Sequence, residues 1–237
     1  MNLTPSQIVR FLDQHVVGQD DAKKQLAVAV HTHYRKIVIA QADQLEIVKS
    51  NVLLVGPTGT GKTLLCETLS RAIDVPFVTA NATSLAQSEY VNEEIEAVLL
   101  RLIEKAGGDR ACAQRGIIFI DEIDKLKAPP EAGGGARTLS GERVQHALLK
   151  IMGGAPVKLM ACGHTATTET LFICGGAFVG IDEILSQTHT FGFIATGEDD
   201  NQKVLDRLNA RIKPTDLFRF GLIPEFAGRL PIVARLK

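Results

Sequence analysis

The sequence predicts an α/β fold of three layers, with a central, mostly parallel sheet between helices. Short apolar runs that read as strands buried on both faces alternate with stretches of helical period over about 180 residues. Two of those strands end in glycines or acids, where open parallel sheets place their ligands. The size also fits, since 237 residues with 45% hydrophobic and 22% charged can bury one full core. Neither an internal repeat nor a low-complexity run is present.

The overall balance excludes some functions. Net charge is −1, from 26 Lys+Arg against 27 Asp+Glu, and no basic clusters stand out, so neither nucleic acid nor membrane is expected as a partner. The start, Met1-Asn-Leu-Thr-Pro, is not a secretory signal, and Gly116–Ile120 and Leu171–Val179 are too short to cross a bilayer as helices. A cytoplasmic protein is expected. Four cysteines without a C-x-x-C pair argue against a zinc knuckle, and Cys66 and Cys174 read as buried, reduced thiols.

Taken in order, Thr4-Pro5-Ser6-Gln7 opens a helix with Thr4 as cap and Ile8, Phe11 and Leu12 as its apolar face. A second helix follows, capped by Asp20 or Asp21. Its His31 and His33, two apart, do not share a face, so they are expected on the helix surface and not as a metal pair. Residues 39–49 read as a polar connection and 75–79 as a second strand. Residues 93–106 have a helical period, stopped by Gly107 and Gly108. The stretch 125–139, rich in Pro, Gly and Ala, reads as a loop. Ser140 caps a helix ended by Gly153 and Gly154, and 170–174 is another buried strand. Residues 204–212 look helical, and Pro214 introduces Asp216-Leu-Phe-Arg-Phe220.

The stretch the fold is organised around is Asn51 to Thr63. An apolar strand runs into Gly56-Pro57-Thr58-Gly59-Thr60-Gly61-Lys62-Thr63, which fits the phosphate-loop spacing G-x-x-x-x-G-K-[ST]. Glycines let the backbone curl and aim N–H groups at an anion, and the following helix, opening at Lys62-Thr63-Leu64, adds its positive N-terminus. Lys62 would reach the β- and γ-phosphates of ATP or ADP, and the Thr63 hydroxyl would ligate Mg²⁺.

The second chemical feature is Gly116-Ile-Ile-Phe-Ile-Asp121-Glu122, a buried strand ending in two acids 59 positions beyond Lys62. Asp121 is expected to hold the Mg²⁺ hydration shell and Glu122 to orient or activate the attacking water. Alone, an apolar strand followed by Asp-Glu is a weak signal; after a phosphate loop it is a strong one.

Together these residues resemble the ClpX-type AAA+ protein unfoldases, with HslU-type unfoldases the nearest rival. The resemblance rests on "VVGQDDAKKQLAVAV", "NVLLVGPTGTGKTLLCETLSRAIDVPF", "AQRGIIFIDEIDKL", "SGERVQHALLKIMGG", "LFICGGAF" and "FGLIPEFAGRLPIVA", in family order from about Thr4 to Leu236. It implies a P-loop NTPase large domain over 1–237, with an N-terminal helical segment (1–48) and an αβα core (49–237). Neither the family's zinc-binding domain nor its small helical domain is expected. It also implies an ATPase working in a hexameric ring on protein substrates. Val16 and Val17 match the adenine-contacting pair. Arg229 matches the arginine finger that reaches a neighbouring subunit's nucleotide. Tyr90 and Val91 match the pair that grips polypeptide in the pore, although the flanking glycines are replaced by Glu89 and Asn92. The second pore loop falls near 127–137. The segment 155–164 is short and lacks the substrate-selecting Arg-Lys-His. Phe191-Gly192-Phe193 stands where the family docks a ClpP-like peptidase. Two functions follow as expectations: a ClpX-like ATPase module that unfolds or remodels proteins, or a nucleotide-binding regulatory paralogue that co-assembles with a full unfoldase without translocating.

Overall fold

The computed structural model describes residues 3–43, 49–127, 136–159, 163–189 and 211–237. Five parallel strands form one sheet: β1 (Val52–Val55), β2 (Phe77–Asn81), β3 (Ile117–Asp121), β6 (Leu171–Gly176) and β7 (Ile232–Arg235), in the order β2-β3-β6-β1-β7. Side-chain alternation then builds two cores. Val52, Leu54, Ile117, Phe119, Leu171 and Ile173 face one way, toward α1 (Pro5–Asp13), α2 (Asp20–Asp43) and α3 (Lys62–Ile73). Leu53, Val55, Ile118, Ile120, Phe172 and Cys174 face the other, where α5 (Val91–Lys105), α7 (Ala136–Met152) and α8 (Ile181–His189) contribute to the second cluster. That is the expected three-layer αβα arrangement. Among the described residues no helix is long and apolar enough to cross a membrane.

Local signals explain most of the elements. Thr4 and Gln7 form a reciprocal capping box with Pro5 at the first turn of α1. Gly107 and Gly108, both at positive φ, end α5 at its carboxyl terminus. Cys66 and Cys174 are buried free thiols, and burial raises the pKa of both, that of Cys174 to about 12.

Several boundaries differ from the sequence reading. The expected connection over 39–49 is helical as far as Asp43, because Ala40 continues the buried stripe of α2 past its polar neighbours. The second strand is shifted to 77–81, with the Pro76 carbonyl instead accepting from the Ile117 N–H. Asn81 then caps a short helix, α4 (Ala82–Gln87), too brief to show a period. A further short helix, α6 (Arg110–Gln114), is capped by Asp109. Helix α5 starts at Val91 and α7 at Ala136, each earlier than read. The start of the expected 125–139 loop is a 3-10 turn over Ile123–Leu126. Residues 156–166 contain an antiparallel hairpin of β4 (Pro156–Leu159) and β5 (Gly163–Ala166). The chain closes with α9 (Pro214–Phe220), α10 (Pro224–Gly228) and β7. Most of the expected 204–212 helix lies outside the described residues.

His33 is the clearest correction. It is fully buried, not on the surface, and its Nε2–H donates to the Glu169 carbonyl at 2.9 Å. The imidazole completes the buried face that Leu26 and Val30 begin, and burial holds its pKa down at about 4. His31 is half-buried and bonds the Leu3 carbonyl.

Candidate functional site: a phosphate loop facing two acids

Strand β1 delivers the loop 56–61 to the carboxyl edge of the sheet, beside the ends of β6 and β3. Gly59 and Gly61 adopt φ of +87° and +86°, and α3 starts at once behind them. Gly56 is required for a different reason. A Cβ there would stand 2.7 Å from the Leu236 carbonyl oxygen, because the chain after β7 passes directly over the loop. Its N–H donates to the Gly176 carbonyl at 3.1 Å.

Lys62 is almost buried. Its ammonium donates to the carbonyls of Gly56 at 2.7 Å and Pro57 at 2.9 Å, which leaves one of its three N–H groups for an anion. A cleft of about 410 Å³ opens over the loop, lined by Thr58, Gly59, Gly61, Lys62, Thr63 and Leu64 on one side. Asp121, Glu122, Asp124, Lys125, Gly176 and Ala177 line the other. The loop and the acid pair, far apart in sequence, therefore share one space.

Asp121 ends β3, and its Oδ1 accepts from the Glu122 N–H at 2.8 Å. Glu122 then takes a left-handed conformation, φ 59° and ψ 32°, which costs a non-glycine residue of order 1–3 kcal/mol. Its carboxylate is held by donors from Asn81 Nδ2 at 3.0 Å and Thr83 Oγ1 at 2.9 Å. Those two bonds, Thr83 first, keep its pKa below the ordinary carboxylate value. Thr63 and Asp121 also line an adjoining cleft, so hydroxyl and carboxylate face shared space. That pair of hard oxygen donors fits Mg²⁺.

Three residues of this site escaped the sequence reading. Asn81 and Thr83 hold Glu122, and their only sequence signal is the Asn-x-Thr pattern of a helix cap. Asp124, buried two positions past Glu122, accepts from the Ala177 N–H at 3.2 Å and ties β6 to the 3-10 turn. A Cβ on Gly176 would stand 2.6 Å from its Oδ1, so that glycine is fixed by the approach.

The remaining predicted residues lie elsewhere. Val16 is packed in the helical core, whereas Val17 is 97% exposed, in a separate cleft with Gln19, Arg235 and Lys237. That cleft adjoins the loop through Leu236, whose flanking Lys237 exchanges bonds with the Gln19 side chain. Tyr90 is exposed at the N-cap of α5, but Val91 is buried in the core, so only Tyr90 of the pair offers a side chain to solvent. Arg229 is exposed at the end of α10, with its carbonyl held by Asn51 Nδ2 at 3.2 Å. Asn51 precedes β1, so Arg229 lies at the amino end of the sheet, roughly 13 Å of strand from its own phosphate loop. It is not among the residues lining that cleft. Phe191-Gly192-Phe193 and most of 127–137 lie outside the described residues.

A family model described as AAA domain (Cdc48 subfamily) matches residues 47–233. The chain belongs to the AAA domain family. This AAA domain is 45% identical over 247 residues to the ATP-dependent Clp protease ATP-binding subunit ClpX of Treponema denticola, covering 98% of the chain and 60% of that protein. It is 43% identical over 259 residues to the ATP-dependent Clp protease ATP-binding subunit ClpX 3 of Methylococcus capsulatus, with the same two coverages. The AAA domain thus spans 60% of the length of the curated relatives it matches. Together the model and the relatives make it a ClpX-type, nucleotide-binding ATPase module.

Proposed function

We propose that this AAA domain binds ATP with Mg²⁺ over Gly56–Thr63 and hydrolyses it when a second copy supplies Arg229. The supporting observation is the single cleft that gathers the glycine loop, Lys62, Thr63, Asp121 and Glu122. Loop N–H groups and the α3 terminus bind the phosphates, Leu64 borders them, and Lys62 neutralises the terminal group. Asp121 and the Thr63 hydroxyl would hold Mg²⁺, which when bound offsets phosphate charge. Glu122, kept ionised by Thr83 and Asn81, accepts the proton of the attacking water once it turns from those donors toward the cleft. The guanidinium of Arg229, at the far end of the sheet, serves a neighbour's cleft and not its own.

On this reading the domain works in a ring, a hexamer by its ClpX likeness, and remodels or unfolds protein substrates. Val16 and Val17 border the adenine, Tyr90 meets the polypeptide, and Phe191-Gly192-Phe193 docks a ClpP-like peptidase. The 1–48 segment and the core act as one large domain, in the cytoplasm. Sizing with and without ATP and Mg²⁺, using Glu122→Gln to retain nucleotide, tests it. Nucleotide-dependent rings with turnover far above the monomer's support the motor; robust turnover by a monomer contradicts it.

The burial of Val91 favours a second reading, in which the domain binds nucleotide and enters rings of a full ClpX without gripping substrate. Mixing it with a full-length ClpX and measuring unfolding rate separates the two. A lowered rate supports regulation; failure to co-assemble removes it.

A further inference from the structure

Tyr90 is one of only two tyrosines in a chain without tryptophan, and it is 63% exposed. Its loop is tied down from outside its own helix. The Arg143 guanidinium, on α7, donates at 3.0 Å to the backbone carbonyls of both Ser88 and Glu89. One turn earlier, the Ser140 hydroxyl donates to the Ala86 carbonyl. Bonds from a charged donor to backbone acceptors are stronger than neutral ones, and here a single terminal nitrogen, Nη2, holds both carbonyls.

Helix α7 is itself packed closely against the catalytic strand's continuation. A Cβ on Gly141 would stand 2.7 Å from the Leu126 carbonyl oxygen, so α7 touches the backbone of the 3-10 turn that follows Glu122. Gln145, fully buried, donates to that same carbonyl at 2.8 Å and accepts from the Ile223 N–H at 2.9 Å. On its other side the loop is the end of α4, whose first turn meets Glu122 through Asn81 and Thr83. The Ser88–Tyr90 loop is therefore referenced to Glu122 twice, through α4 and through α7.

We infer that Arg143 is a positioning residue for Tyr90. It straps the tyrosine's loop to the rigid unit of α7 and the 3-10 turn, so that Tyr90 moves with the acid pair and not independently of it. The inference rests on Tyr90 being the polypeptide-contacting residue, and it specifies what sets that residue's freedom. Without Arg143 the loop keeps, among the described residues, the Ser140 bond, the Tyr90 N–H bond to Ser88 Oγ at 3.1 Å, and the Tyr90 carbonyl's bonds from the Glu93 and Glu94 N–H groups.

The two-tyrosine composition supplies the test. Fluorotyrosine-labelled protein gives two ¹⁹F resonances, Tyr34 buried and Tyr90 exposed, assigned with Tyr90→Phe. In Arg143→Ala the Tyr90 line narrows toward a mobile side chain while the Tyr34 line stays put. Amide exchange at Glu93 and Glu94, whose N–H groups donate to the Tyr90 carbonyl, speeds up about tenfold or more as the loop loses its bonds from a charged donor. Arg143→Lys, which keeps a charged donor on a shorter side chain, gives an intermediate line. An unchanged Tyr90 line and unchanged exchange in Arg143→Ala overturn the inference, as does a change that affects Tyr34 equally. All of this is read without nucleotide. Failure of a fluorescent ATP analogue to bind the unmodified protein would count against the nucleotide reading and leave this result standing.

Discussion

At the carboxyl end of the sheet, Thr63, Leu64 and Lys125 are exposed around a cleft whose backbone is strained at Glu122 and kept bare by glycines. At the amino end the polar groups are sealed in: His33 and Asn51 are buried, and each is bonded to backbone. There Lys49 donates to the Ile151 carbonyl and lies over the Phe172 ring, its pKa lowered to about 7 by burial and then by Arg229. One end is open to a ligand, and the other is a fixed platform from which Arg229 projects. On the proposed reading, the contrast teaches that the two ends of one chain need not serve the same nucleotide.

The largest effect should come at the open end. Glu122→Gln should lower ATP turnover of the assembled protein by about 10²–10⁴-fold while nucleotide affinity is kept, as expected for loss of a general base. Steady-state turnover beside equilibrium nucleotide binding reads it. Equal loss of both would make Glu122 a binding group instead.

At the sealed end, His33 sets a pH dependence. An unfolded histidine takes up its proton near pH 6.5 but the buried one only near 4, so the unfolded state binds more protons between those values. Stability should therefore fall as pH drops through that window, by at most about 3 kcal/mol. His33→Gln, which keeps a donor for Glu169, should flatten that slope in urea titrations. A slope that persists would place the acid sensitivity elsewhere.

Gly56→Ala joins the two ends, since its methyl would strike the Leu236 backbone. A loss of about 1–3 kcal/mol in thermal or urea unfolding is expected from overpacking. Gly59→Ala, with no atom within 4 Å of its Cβ, should cost only its backbone conformation. Thr83→Val should have the smallest effect. Losing the largest cause of the lowered Glu122 pKa moves the acid limb of the turnover profile toward higher pH.

The sheet was legible in the sequence because each strand is a short, continuous apolar run that only a doubly covered position explains. The phosphate loop was legible because its spacing is dictated by phosphate geometry, and the acid pair because a buried strand ending in Asp-Glu follows such a loop. Asn81 and Thr83 were not, since a cap residue and a catalytic partner look alike until the helix they start is seen beside Glu122. Val91 was matched to the pore pair by the family resemblance alone, and helical phase turns it inward from the first turn of α5. Gly56 was credited with a curl that belongs to Gly59 and Gly61. Its own constraint comes from Leu236, 180 positions away.

The division between the two ends is tested most directly by complementation. Glu122→Gln retains Arg229 but cannot activate water, whereas Arg229→Ala has an intact cleft but no guanidinium to lend. Each alone should be nearly silent for ATP turnover under assembling conditions. Mixed, they should recover a substantial fraction of the unmodified activity, because one supplies the arginine and the other the cleft. A mixture as silent as its parts, or an Arg229→Ala protein as active as the unmodified one, would contradict the account.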